Sequence, residues 1–150
     1  MPEVPDVHLL VRMNDLEAIR VLMFMKPETK NMPRLRTAET PLHIACDCGH
    51  TDMLDLLLTY KPDIGAASST GWTPLHVSAN RGYLAAIGKL VDSANGSGTQ
   101  DVVDAKDGSG MTPLMVACVA GQLEAVQLLI DSYSANPTLT NNMGDTPLHL

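Results

Sequence analysis

Residues 40–50 read TPLHIACDCGH, and the fold turns on how they are read. His43, Cys46, Cys48 and His50 place four soft-metal ligands within eight residues, the donor set a tetrahedral zinc site uses. The same stretch is also a frame. TPLHVSANRGY begins at Thr73, TPLMVACVAGQ at Thr112 and TPLHL at Thr146, so the starts lie 33, 39 and 34 residues apart. Self-similarity at such a period signals a stacked repeat array and outranks a local cluster.

Each position of the frame has a physical task. Thr40, Thr73, Thr112 and Thr146 are N-caps whose hydroxyls satisfy a free first-turn N–H. Pro41, Pro74, Pro113 and Pro147 follow at the first helical position, where a missing donor costs nothing. Ala45, Ser78 and Ala117 are small enough to let helices approach closely. Gly49, Gly82 and Gly121 stand where a left-handed residue ends the first helix. Apolar residues at helical spacing then mark a second helix in Met53–Leu58, Ala85–Val91 and Ala125–Ile130. Turn-rich SSTG (68–71), DGSG (107–110) and NNMG (141–144) read as tight tips between repeats.

This frame resembles the ankyrin repeat, over residues 40–150 and more weakly over 5–39. The resemblance implies an all-α solenoid of helix-turn-helix units with β-hairpin tips. The units are expected at 5–39, 40–72, 73–111, 112–145 and 146–150, the first degenerate and the last truncated. The repeat at 73–111 is six residues longer than the 33-residue frame. The excess is expected as a flexible loop in DSANGSGTQD, residues 92–101. In the first repeat Asn14 aligns with Gly49 at an offset of 35 and takes its turn role, while Pro5 and Asp6 fall where Thr-Pro is missing. Such a departure is expected of a capping unit whose outer face meets water. The stop at Leu150, five residues into a repeat, reads as a fragment of a longer array.

The frame resolves the four ligands. Across the repeats Cys46 alternates with Ala79 and Cys118, Cys48 with Arg81 and Ala120, His50 with Tyr83 and Gln122. The pattern persists when every proposed ligand changes, and Cys48 lies well round the helix from Cys46. We therefore expect no metal and no cofactor. In ankyrin families the His of TPLH bonds neighbouring backbone, and the resemblance implies that role for His43 and His76. The GSG at 96–98 and 108–110 lacks the strand, lysine and helix start of a phosphate loop. Nothing in the pattern indicates a catalytic site.

Composition agrees. Apolar residues are 45%, with one Trp, three Tyr and one Phe, so the core is aliphatic and suits packed helices. The net charge is −7, and residues 40–150 hold four basic and eleven acidic side chains. That balance disfavours nucleic acid and anionic membranes. It suits a basic patch on a protein partner, unless the acids serve solubility alone. Three cysteines fit a reducing compartment, so the cytoplasm is expected, and the nucleus besides it. The start has no signal-peptide pattern, and no run of 18 apolar residues suggests a span.

The resemblance implies a monomeric adaptor or scaffold that binds a protein on the concave face and takes no small-molecule substrate. Variable positions next to the frame are the candidate contacts: Arg36, Glu39, Asp47, Thr70, Trp72, Asn80, Arg81, Ser109, Met111, Val119, Met143 and Asp145. Trp72 has two readings, a partner contact or packing on the adjacent hairpin. Two other functions stay open: the regulatory arm of a longer enzyme, or a gankyrin-like proteasome-assembly chaperone.

Overall fold

A computed structural model describes residues 6–94 and 99–150. Nine α-helices lie among them: α1 Val7–Arg12, α2 Leu16–Met25, α3 Pro41–Cys48, α4 Thr51–Thr59, α5 Pro74–Arg81, α6 Leu84–Ser93, α7 Thr99–Val103, α8 Pro113–Ala120 and α9 Leu123–Asp131. Two short 3-10 helices, Pro27–Asn31 and Pro147–His149, complete the elements. The helices form two rows. α1, α3, α5 and α8 pack in succession as an inner row, and α2, α4, α6 and α9 as an outer row. The core between them is aliphatic: Ile19, Leu42, Leu54, Leu57, Leu75, Ile87, Leu90, Leu114 and Leu129 are fully buried.

The helix ends follow the frame. Thr40, Thr73 and Thr112 cap α3, α5 and α8, with Pro at the first helical position each time. Gly49, Gly82 and Gly121 close these helices at φ 71, 71 and 73. Asn14, at φ 59, makes the same turn in the first repeat. The cap of that repeat is not missing. Asp6 caps α1, its carboxylate accepting the His8 N–H at 2.9 Å. The repeat reaches its turn one residue sooner than its neighbours, so the offset of 35 at the turn becomes 34 at the cap.

The tips are closed by backbone bonds from Arg34 to Glu39, Ser68 to Trp72, Asp107 to Met111 and Asn141 to Asp145. They are hairpin-shaped, but no described residue is a strand. The turns are too short for a ladder of their own, which corrects the β-hairpin expectation. The insertion departs from expectation too. Asp92 and Ser93 finish α6, and residues 99–101 begin α7, whose Val103 is fully buried. Residues 95–98 of the expected loop lie outside the described residues. The outer face of the first repeat meets water as expected of a cap, but with apolar side chains: Leu9, Val21, Met25 and Phe24, the last 88% exposed.

Candidate protein-binding surface

Histidines lock each repeat to the next tip. The His76 N–H donates to Thr73 Oγ1 at 3.4 Å, and His76 Nδ1 accepts the Thr73 N–H at 3.1 Å, a reciprocal capping box. With Nδ1 accepting, the ring proton sits on Nε2, which donates to the Met111 carbonyl at 2.8 Å. His43 repeats this, with Nδ1 on the Thr40 N–H at 3.0 Å and Nε2 on the Trp72 carbonyl at 2.7 Å. Burial is the main cause that pulls both rings below the usual 6.5, against the opposing pull of their carbonyl partners. Met115, buried in the fourth repeat, keeps the backbone half of the cap, its N–H 3.3 Å from Thr112 Oγ1, but has no ring to make the other bonds. His8 improvises the link in the first repeat, with Nε2 2.9 Å from the Met32 carbonyl.

The residue after each turn glycine reaches back over the preceding repeat. His50 Nε2 lies 3.0 Å from the Arg12 carbonyl. The Tyr83 ring covers Gly49, and Gln122 covers Gly82 while donating to the Asn80 carbonyl at 3.0 Å. These links span 34–42 residues of sequence, which is why a single-repeat reading misses them.

The four ligands of residues 43–50 thus have separate employments. His43 and His50 serve backbone, and Cys46 is buried, its thiol pushed up to about 12 chiefly by desolvation. Cys48 is half-buried against the core. No three His, Cys, Asp or Glu among the described residues are grouped to hold a metal ion. No described helix is long and apolar enough to cross a membrane.

The frame leaves the non-repeating residues on the tips and the ends of the inner helices. Arg36, Thr70, Ser109 and Met143 are exposed on successive tips, Met143 by 86%. Arg81 and Val119 are exposed at the ends of α5 and α8, Val119 by 63%. Glu39, Asp47, Asn80, Met111 and Asp145 are half-buried. Two candidates meet one another: Arg81 Nη2 lies 2.9 Å from Asp47 Oδ1, joining adjacent repeats.

Trp72 is half-buried and packs on the core. Its ring stacks on His76 with centroids 6.2 Å apart, and Nε1 donates to Asp107 Oδ2 at 3.0 Å. The side chain therefore belongs to the inter-repeat packing, whatever else touches it. The other oxygen of Asp107 accepts the Ser109 and Met111 N–H groups at 2.8 and 2.9 Å. On this surface Asp47 and Asp107 are engaged. Exposed Asp52, Asp55, Glu124 and Asp131 lie instead along the outer row, where Asp55 pairs with Lys89 at 2.6 Å.

Residues 7–101 match the sequence profile for ankyrin repeats (3 copies), and residues 103–150 that for ankyrin repeats (many copies). The chain belongs to the ankyrin-repeat family. Protein phosphatase 1 regulatory subunit 27 of Mus musculus is 31% identical over 103 residues, covering 63% of this chain and 66% of that protein. Protein phosphatase 1 regulatory subunit 12A of Mus musculus is 38% identical over 58 residues, 39% of this chain and 6% of that protein. Alpha-latrotoxin-Lg1a of Latrodectus geometricus is 34% identical over 83 residues, 53% of this chain and 6% of the toxin. The chain spans under two thirds of the first relative and a small part of the others. Proteins so different in name share the frame.

Proposed function

We propose that this chain is a non-catalytic adaptor whose tips and inner helices bind a partner protein on the concave side. One observation carries the reading. The repeating residues are consumed in locking the array together, while exposed Thr70, Arg81, Ser109, Val119 and Met143 do not repeat. A rigid surface loses little entropy on docking, so such residues can encode partner choice. Two relatives named as phosphatase regulatory subunits support a regulatory, partner-binding role, and protein phosphatase 1 is the first named partner to probe. Neither relative lends support to the gankyrin-like chaperone reading. The small shares of the longer relatives favour a second possibility, a recruiting module within a larger protein. A basic partner surface fits the acidic outer row better than the tips. Monomeric state and a cytoplasmic location, with the nucleus besides it, belong to the same proposal.

The test is affinity capture with three folded arrays: wild type, Arg81→Ala/Val119→Asp/Met143→Glu, and the outer-row control Glu124→Ala/Gln127→Ala. We expect the triple variant to weaken the captured interaction about thirtyfold or more, the scale of binding hot spots, and the control to retain it. Loss in the control alone would assign binding to the convex side.

A further inference from the structure

The hydrogen bonds between tips have a direction. Ser69 donates its N–H to the Thr37 carbonyl at 2.8 Å, Gly108 to Thr70 at 3.0 Å, and Asn142 to Ser109 at 3.0 Å. Each tip thus gives one N–H to the tip before it. The closing bonds fix the register: Arg34, Ser68, Asp107 and Asn141 are equivalent donors. The residue that follows each closing donor provides the inter-tip bond, so Leu35 holds the place of Ser69, Gly108 and Asn142. Its N–H has no acceptor among the described residues. Among the described residues the run of inter-tip bonds therefore ends on an open donor.

The surroundings of Leu35 say what fits there. Its side chain is 90% exposed. Arg34 and Arg36 flank it, both exposed and without an ion pair among the described residues. A groove beside it is lined by Val7, His8, Met32 and Pro33. Two acids lie nearby. Asp6, also on the groove, accepts the His8 N–H, and half-buried Glu39 lies on the other arm of the tip. Arg36 and Ala38 hold φ 77 and 57 without being glycine. A bend in that region persists only when its surroundings fix it, so Leu35 is presented in a set position.

We propose that the edge of the first tip docks an extended, acidic segment of a partner protein. Its backbone carbonyl accepts the Leu35 N–H, continuing the ladder as an added strand continues a sheet edge. Carboxylates of the segment meet Arg34 and Arg36, and an apolar side chain between them rests on Leu35, Met32 and Pro33. This site goes beyond the concave reading and shares only Arg36 with it.

The probe is a fluorescent hexapeptide of alternating glutamate and valine, titrated into the full chain at low salt. We expect the Leu35 amide resonance to shift and its hydrogen exchange to slow. Arg34→Glu/Arg36→Glu should weaken binding about tenfold or more, and Lys89→Ala, a cation of the outer row, should leave it unchanged. Amide dispersion of the double variant verifies that it is folded. An unmoved Leu35 amide, or equal binding of a peptide with lysine in place of glutamate, overturns the proposal. So does a full chain that binds nothing while a chain lacking residues 1–5 binds, which would give the groove to the chain's own first residues. Loss of capture by the concave triple variant with this titration intact separates the two proposals.

Discussion

At the scale of single residues, the buried histidines carry a pH signature. His43 and His76 have folded-state values held below the usual 6.5. Above about 6.5 both states carry neutral imidazole and folding is indifferent to pH. As pH falls below that value the unfolded chain takes up protons that the folded chain refuses. Stability is therefore lost as pH falls towards the folded values, and levels off beneath them. His76→Met, which copies the natural Met115, should lower stability at neutral pH but flatten this dependence; urea melts across the pH range measure it. An unchanged slope would place the titration elsewhere. Trp72 gives a second check. Trp72→Ala should cost about 1–3 kcal/mol for a half-buried aromatic, and Trp72→Phe only about 1 kcal/mol, the net value of the Asp107 hydrogen bond. Equal losses would mean that packing contributes nothing. The histidines and their threonines were legible in the sequence because they recur in register. Trp72 was legible only as two readings, a partner contact or packing on the adjacent hairpin, because its partner Asp107 lies 35 residues away.

At the scale of the element, the tips depend on close stacking. Gly71 and Gly144 have φ 85 and 84, so a side chain strains both backbones alike. A Cβ on Gly71 would stand 2.5 Å from the Gly108 backbone nitrogen, whereas one on Gly144 meets nothing within 4 Å. Gly71→Ala should therefore be the more destabilising by about 1–3 kcal/mol, the cost of overpacking against rigid backbone. Equal denaturant midpoints would show that the tips do not bear on one another. The insertion makes the opposite point. Its Gly and Ser content predicts a loop over 92–101; residues 95–98 lie outside the described residues, but its two ends belong to α6 and α7, and α7 packs on α6 and buries Val103. Composition alone does not reveal that a neighbouring helix offers an apolar surface. Val103→Ala should cost about 1–3 kcal/mol, measured by thermal melting; no loss would return the segment to a loose loop. Asp6 escaped notice for a related reason. The first repeat is one residue short between cap and turn, so a fixed offset slides past its cap.

At the scale of the whole molecule, the array is a chain of nearest-neighbour contacts. His43 and His76 tie each inner helix to the tip that follows it, and His50, Tyr83 and Gln122 act between adjacent repeats, as expected of a solenoid whose stability is shared along its length. The architecture was legible because it is periodic. The surface was legible only in part: the sequence located the variable positions, but not that Arg81 is tied to Asp47, nor that the acids gather along the outer row. Those facts depend on which helices become neighbours. The central claim is that protein partners meet the tips and inner helices. It is tested most directly by a photo-crosslinking amino acid placed at Met143 and, separately, at Gln127, with the captured partner present. We predict a covalent adduct from position 143 and none from position 127. An adduct from position 127 with none from 143 would contradict the account.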